Sequence, residues 1–129
     1  MSIYHPLVTQ LLFARSEFMR CVAGVTPEAA VQRVLPMNCI SWIVGHLASQ
    51  ENYYWVRLGQ REKMFPKLVD LVGFGKPAST PPLDEMLTIW EKITKTADRF
   101  LLTLKGDDLV NHFLRADGSP VPESIGTML

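Results

Sequence analysis

From Tyr4 to about Val22, apolar side chains fall at Tyr4, Leu7, Val8, Leu11, Leu12, Phe18, Met19 and Val22, with Arg15 the one break. Three-and-four spacing of this kind puts a stripe on one face of a helix, so the pattern predicts helix 1 here. Gly24 supplies its stop, and Thr26-Pro27-Glu28 reads as a cap, a first-turn proline and an acid opening a short second helical turn. Asn38 or Ser41 can cap a second long helix that runs to about Leu58 and closes at Gly59. Plotted at about 100° per residue, Ile40, Ile43, Val44, Leu47, Tyr54, Trp55 and Leu58 share one arc, the expected buried face of helix 2. The most regular stripe belongs to helix 3: Leu83, Met86, Leu87, Trp90, Ile93, Ala97, Phe100, Leu101 and Leu104, opened by Pro82 with Asp84 and Glu85 and ended by Gly106.

Between helices 2 and 3 lies a long stretch, Gly59 to Pro82, holding Gly73-Phe74-Gly75-Lys76-Pro77 and Pro81-Pro82. A helix of about 20 residues spans roughly 30 Å, and a loop of about two dozen residues at roughly 3.3 Å each can run back along it. Helices 2 and 3 are then parallel, a known variant of the up-down bundle. Met64-Phe65-Pro66 and Phe74 are apolar positions in this crossover, suited to packing over the bundle or to a dimer surface. After helix 3, Asp117-Gly118-Ser119-Pro120 flanked by Phe113-Leu114 and Val121 predicts a small hairpin-like excursion. Ser124 then reads as the N-cap of a fourth helix of which Ile125 to Leu129 is the beginning. The expectation is an all-α four-helix bundle, a single domain over residues 1–129 that is C-terminally incomplete. Broad apolar faces on helices 1 to 3 would leave a groove for more chain or for a second copy, as a homodimer.

Composition narrows the class. Apolar residues are 47% of the chain and charged residues 20%, as in a globular protein rather than a disordered one. Lys plus Arg and Asp plus Glu number 13 each, so no basic field favours nucleic acid or anionic lipid. The opening Met1-Ser2-Ile3-Tyr4-His5-Pro6 lacks a basic n-region and apolar h-region, and no apolar run approaches the roughly 20 residues of a membrane span. The expectation is a cytoplasmic protein with neither nucleic acid nor membrane as partner. Cys21 and Cys39 are too few and too far apart for a disulfide framework or a zinc knuckle, and neither is assigned as a nucleophile.

The segment Asn38-Cys39-Ile40-Ser41-Trp42-Ile43-Val44-Gly45-His46-Leu47-Ala48-Ser49-Gln50-Glu51 resembles the second-helix signature of the DinB-like superfamily: a Ser-rich cap, a Trp, an apolar run, His-Leu-Ala, then a Glu and an aromatic. Order and spacing elsewhere agree, in Arg15 and Phe18, Val25-Thr26-Pro27-Glu28, Phe74-Gly75, Pro82, Asp107-Asp108-Leu109 and Ser124-Ile125-Gly126. The resemblance implies an up-down-down-up bundle with the long crossover between helices 2 and 3. It also implies a divalent metal, often nickel, zinc or iron, held by one His of helix 2 and an HxxxH pair of helix 4. Only His46 matches that ligand set, because residues 125–129 end before the pair would appear. The activities implied are thiol-dependent transfer with bacillithiol, mycothiol or glutathione, metal-assisted hydrolysis, or the helical part of an iron sulfoxide synthase, each acting on a small-molecule substrate.

His46 lies about 120° from the centre of the apolar arc, in a strip with Trp42, Gln50 and Tyr53. Alone, a seam histidine is a hydrogen-bonded structural residue; beside the resemblance it is the metal ligand. Tyr53 shares the strip and is assigned to a pocket wall. Glu51 falls near the centre of the arc, where an unpartnered carboxylate is costly. It either orients a metal-bound His of helix 4 or pairs with a basic or hydroxyl side chain elsewhere. His5 and His112 match no part of the signature and are read as surface or end-capping residues. The competing function is a non-catalytic helical interaction or ligand-binding module, dimeric and without metal, in which His46 only hydrogen-bonds.

Overall fold

A computed structural model describes residues 4–129. Met1-Ser2-Ile3, read above for the absence of a leader, lies outside the described residues. The chain is mainly helical, with no strand among the described residues. In order come α1 (Pro6–Val22), α2 (Pro27–Ala30), α3 (Ile40–Glu51) running on as a π-helical segment (Asn52–Leu58), α4 (Leu68–Val72), α5 (Leu83–Leu101), a 3-10 turn (Gly106–Val110) and α6 (Ile125–Met128). None of these helices is long and apolar enough to cross a membrane.

The chain divides into two compact units, one formed by residues 1–23 with 98–129 and the other by residues 24–97. In the first unit, His5 caps α1, its Nδ1 accepting from the Leu7 N–H at 3.1 Å, and Pro6 sits where a missing N–H costs nothing. Arg15, the break in the α1 stripe, is buried and pairs with Asp98, which explains a charge on an apolar face. The excursion forms as expected: Val121 N–H donates to Phe113 O at 2.8 Å and Arg115 N–H to Ser119 O at 2.8 Å, around Gly118 at φ +86°. Phe113 is buried against Phe100, with ring centroids 5.5 Å apart. Ser124 caps α6, accepting from Thr127 N–H at 3.2 Å. α6 packs on the 3-10 turn so closely that a Cβ on Gly126 would lie 3.0 Å from the Leu109 carbonyl oxygen.

The second unit holds α2, α3 with its π-helical continuation, α4 and residues 83–97 of α5. Here the predicted face of helix 2 is rotated. Ile40, Ile43 and Leu47 are 37%, 36% and 37% exposed, whereas Trp42, Val44, Gly45 and Ala48 are buried. The reason is close packing. A Cβ on Gly45 would come within 2.5 Å of Met86 Sδ and 3.2 Å of Val72 Cγ1, so the face that packs includes a position with no side chain at the point of closest approach. A hydropathy plot ranks Gly and Ala low and misses such a face. The π-helical segment adds a second reason: Gly59 N–H reaches back to Tyr54 O, and i→i+5 bonding widens each turn, so a 100° plot loses phase after Asn52.

α3 begins at Cys39 with no side-chain cap, in place of the predicted Asn38 or Ser41 caps. Ser41 is buried, its Oγ 3.2 Å from Cys39 Sγ. The crossover, expected as a loop, folds α4 in its middle and packs it on α3 through buried Leu68 and Val72. Phe74 is 87% exposed rather than folded over the helices. Of the predicted α5 stripe, Leu83, Met86, Trp90, Ile93, Ala97 and Leu101 are buried, Leu87 and Phe100 are half-buried, and Leu104 is buried just past the helix end.

Candidate metal-ligand site around His46

His46 sits one helical turn after Trp42 on α3, and the two rings stack with centroids 4.7 Å apart and planes 11° from parallel. Its Nδ1 lies 2.7 Å from the Val72 carbonyl oxygen. A carbonyl only accepts, so Nδ1 carries a proton, and in the neutral form of the ring the lone pair is at Nε2. Val72 ends α4, where the last carbonyls have no intrahelical donor. His46 therefore closes the C-terminal end of α4 while α4 sets the tautomer of His46. Gly45 makes the arrangement possible by letting Val72 approach α3.

This is the orientation that a metal-binding imidazole ordinarily has, with one nitrogen bonded to a backbone carbonyl and the other free to coordinate. The fit extends to one ligand. Among the described residues, no group of three or more His, Cys, Asp or Glu could hold a metal ion. Trp42 Nε1 is buried with no hydrogen-bond partner among the described residues, so the stacked pair holds both a lone pair and an N–H not used by the fold.

Glu51 is buried at the end of α3 and is engaged by a partner, as burial of a carboxylate demands. Tyr53 is exposed and lies on the wall of two neighbouring pockets in the second unit. One, of about 210 Å³, is bounded by the π-helical segment and the loop after it; the other includes Gln50, Tyr54 and Phe74. His46 lines neither. His5 and His112 belong to the first unit; His5 is the α1 cap, and His112 Nδ1 donates to Val121 O at 2.8 Å across the excursion. Cys39 is buried and Cys21 exposed.

The residues that sequence reasoning missed are Gly45 and the α4 segment. The signal for α4 was present as Leu68-Val69 and Leu71-Val72 closed by Gly73, a short apolar run inside what otherwise reads as crossover. No family model, curated protein or solved structure matches this chain.

Proposed function

We propose that this chain carries one ligand, His46 Nε2, of a divalent-metal site in an enzyme of the DinB-like kind. The observation that supports the reading is the Nδ1–Val72 hydrogen bond, which leaves Nε2 as the coordinating nitrogen on a ring clamped by Trp42. The remaining donors would come from outside the described residues, as the resemblance implies for an HxxxH pair on a fourth helix of an up-down-down-up bundle. Three neutral imidazoles leave an open coordination position, the arrangement of catalytic rather than structural metal sites. A nickel, zinc or iron ion held so would act as a Lewis acid on a low-molecular-weight thiol or a water. Transfer of that thiol to a small electrophile is the first reaction to assay. The test is metal content after purification without chelator, in the wild type and in His46→Gln. Metal retained by the wild type and lost from the variant supports the reading; equal content in the two overturns it.

A second reading has its own observation. Ile40, Ile43 and Leu47 lie within one narrow face of α3 and are each more than a third exposed. An interaction module that buries this strip in a homodimer, with His46 serving only the α4 end, would account for it. Sedimentation of the chain decides it: a dimer that dissociates on Ile43→Lys supports this reading, and a monomer at all concentrations removes it.

A further inference from the structure

The segment Ser49 to Val69 concentrates features that a His46 metal site does not use. The π-helical turns of Asn52–Leu58 lead into a loop that holds Arg61 at φ +60° and Phe65 at φ +45°. Residues with side chains keep left-handed backbone only where their surroundings hold them, and such backbone gathers at ligand-binding loops. The holding groups are visible. Asn52 Nδ2 donates to Met64 O at 2.8 Å, and Gln60 Nε2 donates to Trp55 O at 2.9 Å and to Thr96 O at 2.8 Å. The loop is thus pinned at both of its ends by side-chain hydrogen bonds, beside a pocket of about 210 Å³.

The polar groups of that pocket are unbalanced. Among the described residues, the side chains of Ser49, Tyr53, Arg57 and Lys63 have no hydrogen-bond or ion-pair partner, and all four line the pocket. Two of them are cationic, two are hydroxyl donors, and Glu62 is the single carboxylate opposing them. Asn52 adds one acceptor, its buried Oδ1, which has no hydrogen-bond partner among the described residues, and the rest of the wall is apolar, with Met64, Phe65, Pro66 and Val69. Donors and positive charge therefore exceed acceptors and negative charge on an apolar floor. Ligand pockets for drug-sized molecules run from about 300 Å³ upward, so this one takes something smaller.

We infer that the pocket between the π-helical segment and the Gln60–Pro66 loop binds a small organic anion: a carboxylate or phosphate met by Arg57 and Lys63, on a compact apolar body seated against Met64 and Phe65. Arg57 offers the planar fork that suits either headgroup, and Lys63 adds a point charge. Asn52 is a positioning residue, since its amide holds the loop by the Met64 carbonyl. The inference stands apart from the metal reading, because His46, Trp42 and Val72 do not line this pocket.

The test is an NMR titration of the ¹⁵N-labelled chain with benzoate, phenyl phosphate and, as the neutral analogue, benzamide, all with EDTA present to exclude a metal effect. At least one anion should move the amides of residues 49–69 with half-saturation near or below about 5 mM. Benzamide, and the anion with R57Q/K63Q, should bind at least about tenfold more weakly, as charge-assisted hydrogen bonds are lost. Glu62→Gln should tighten the anion, because it removes the opposing charge. The tighter of the two anions names the headgroup. The inference fails if neither anion saturates by about 50 mM, if the saturating shifts map elsewhere, or if R57Q/K63Q binds as the wild type does. It also fails if Glu62→Gln weakens binding, since the site would then prefer a cation. Arg57 and Lys63 are exposed and their side chains have no hydrogen-bond or ion-pair partner among the described residues, so R57Q/K63Q should leave the spectrum outside the pocket unchanged.

Discussion

His46 and His112 make the same first contact: each ring's Nδ1 donates to a backbone carbonyl, Val72 at 2.7 Å and Val121 at 2.8 Å. What surrounds the contact differs. His46 is half-buried on a long helix and stacked on a buried indole, so its ring plane is set twice, by the stack and by the hydrogen bond. His112 is exposed in the excursion after the 3-10 turn, where its hydrogen bond joins two arms of a bend. A carbonyl at Nδ1 selects the tautomer in both, so tautomer alone does not mark a metal ligand. Rigidity separates the two rings, and the proposed metal reading favours the stiffer one, because a side chain held in one orientation loses little freedom on coordination.

Four measurements act on this contrast. With Co²⁺ or Zn²⁺ as probe, a protein that includes the remaining donors of the proposed site should hold metal at least about tenfold more tightly than its His46→Gln variant, while His112→Gln should match the wild type. Equal losses in the two variants would dissolve the distinction between the rings. Next comes Gly45→Ala. A methyl group gains up to about 1 kcal/mol in helix propensity, but overpacking against buried Met86 and Val72 costs about 1–3 kcal/mol. The clash wins, and denaturant unfolding should show a net loss of about 1–2 kcal/mol. The same variant should disturb the His46 ring ¹⁵N shifts, through displacement of Val72, and leave those of His112 in place.

Removing the excursion's clip with His112→Gln is a smaller change, about 0.5–1 kcal/mol, the net worth of one partly exposed hydrogen bond. The smallest effect lies at the tip of the same excursion. Asp117 accepts from the Ser119 hydroxyl at 2.6 Å and from its N–H at 2.9 Å. These bonds, the hydroxyl first, hold the carboxyl below its ordinary range. A depressed folded-state value means that the contribution to stability is present above the unfolded value and fades as pH falls through the folded one. An NMR titration should therefore find the Asp117 midpoint below that of an unfolded peptide, and Ser119→Ala should raise it. The His46 region should not respond.

Much of the helix content was legible from spacing. The α1 and α5 helices, the Thr26 and Ser124 caps and the Asp117-Gly118 turn all appear where periodicity and turn chemistry place them, although of the predicted α1 stripe only Val8 and Val22 are buried. Helix 2 was legible as a helix but not in its orientation. Its packed face includes Gly45 and Ala48 beside Trp42 and Val44, and the virtue of the first two is small size, which matters only against a particular neighbour. Arg15 shows the converse: a charge in an apolar stripe reads as an interruption until Asp98, far along the chain, is seen beside it.

The site divides in the same way. His46 could be singled out from its sequence neighbours, because Trp42 stands one turn before it and local helical geometry alone brings i and i+4 side chains together. The state of its ring could not, since the group that sets the tautomer is a backbone carbonyl 26 residues further on, in a short helix that packs on α3. Arg57 and Lys63 likewise stood in the sequence as two charges among many. Residues near in sequence meet through the geometry of one element, which the chain carries in its own spacing. Residues distant in sequence meet only when packing, π-helical register and a pinned loop bring them together.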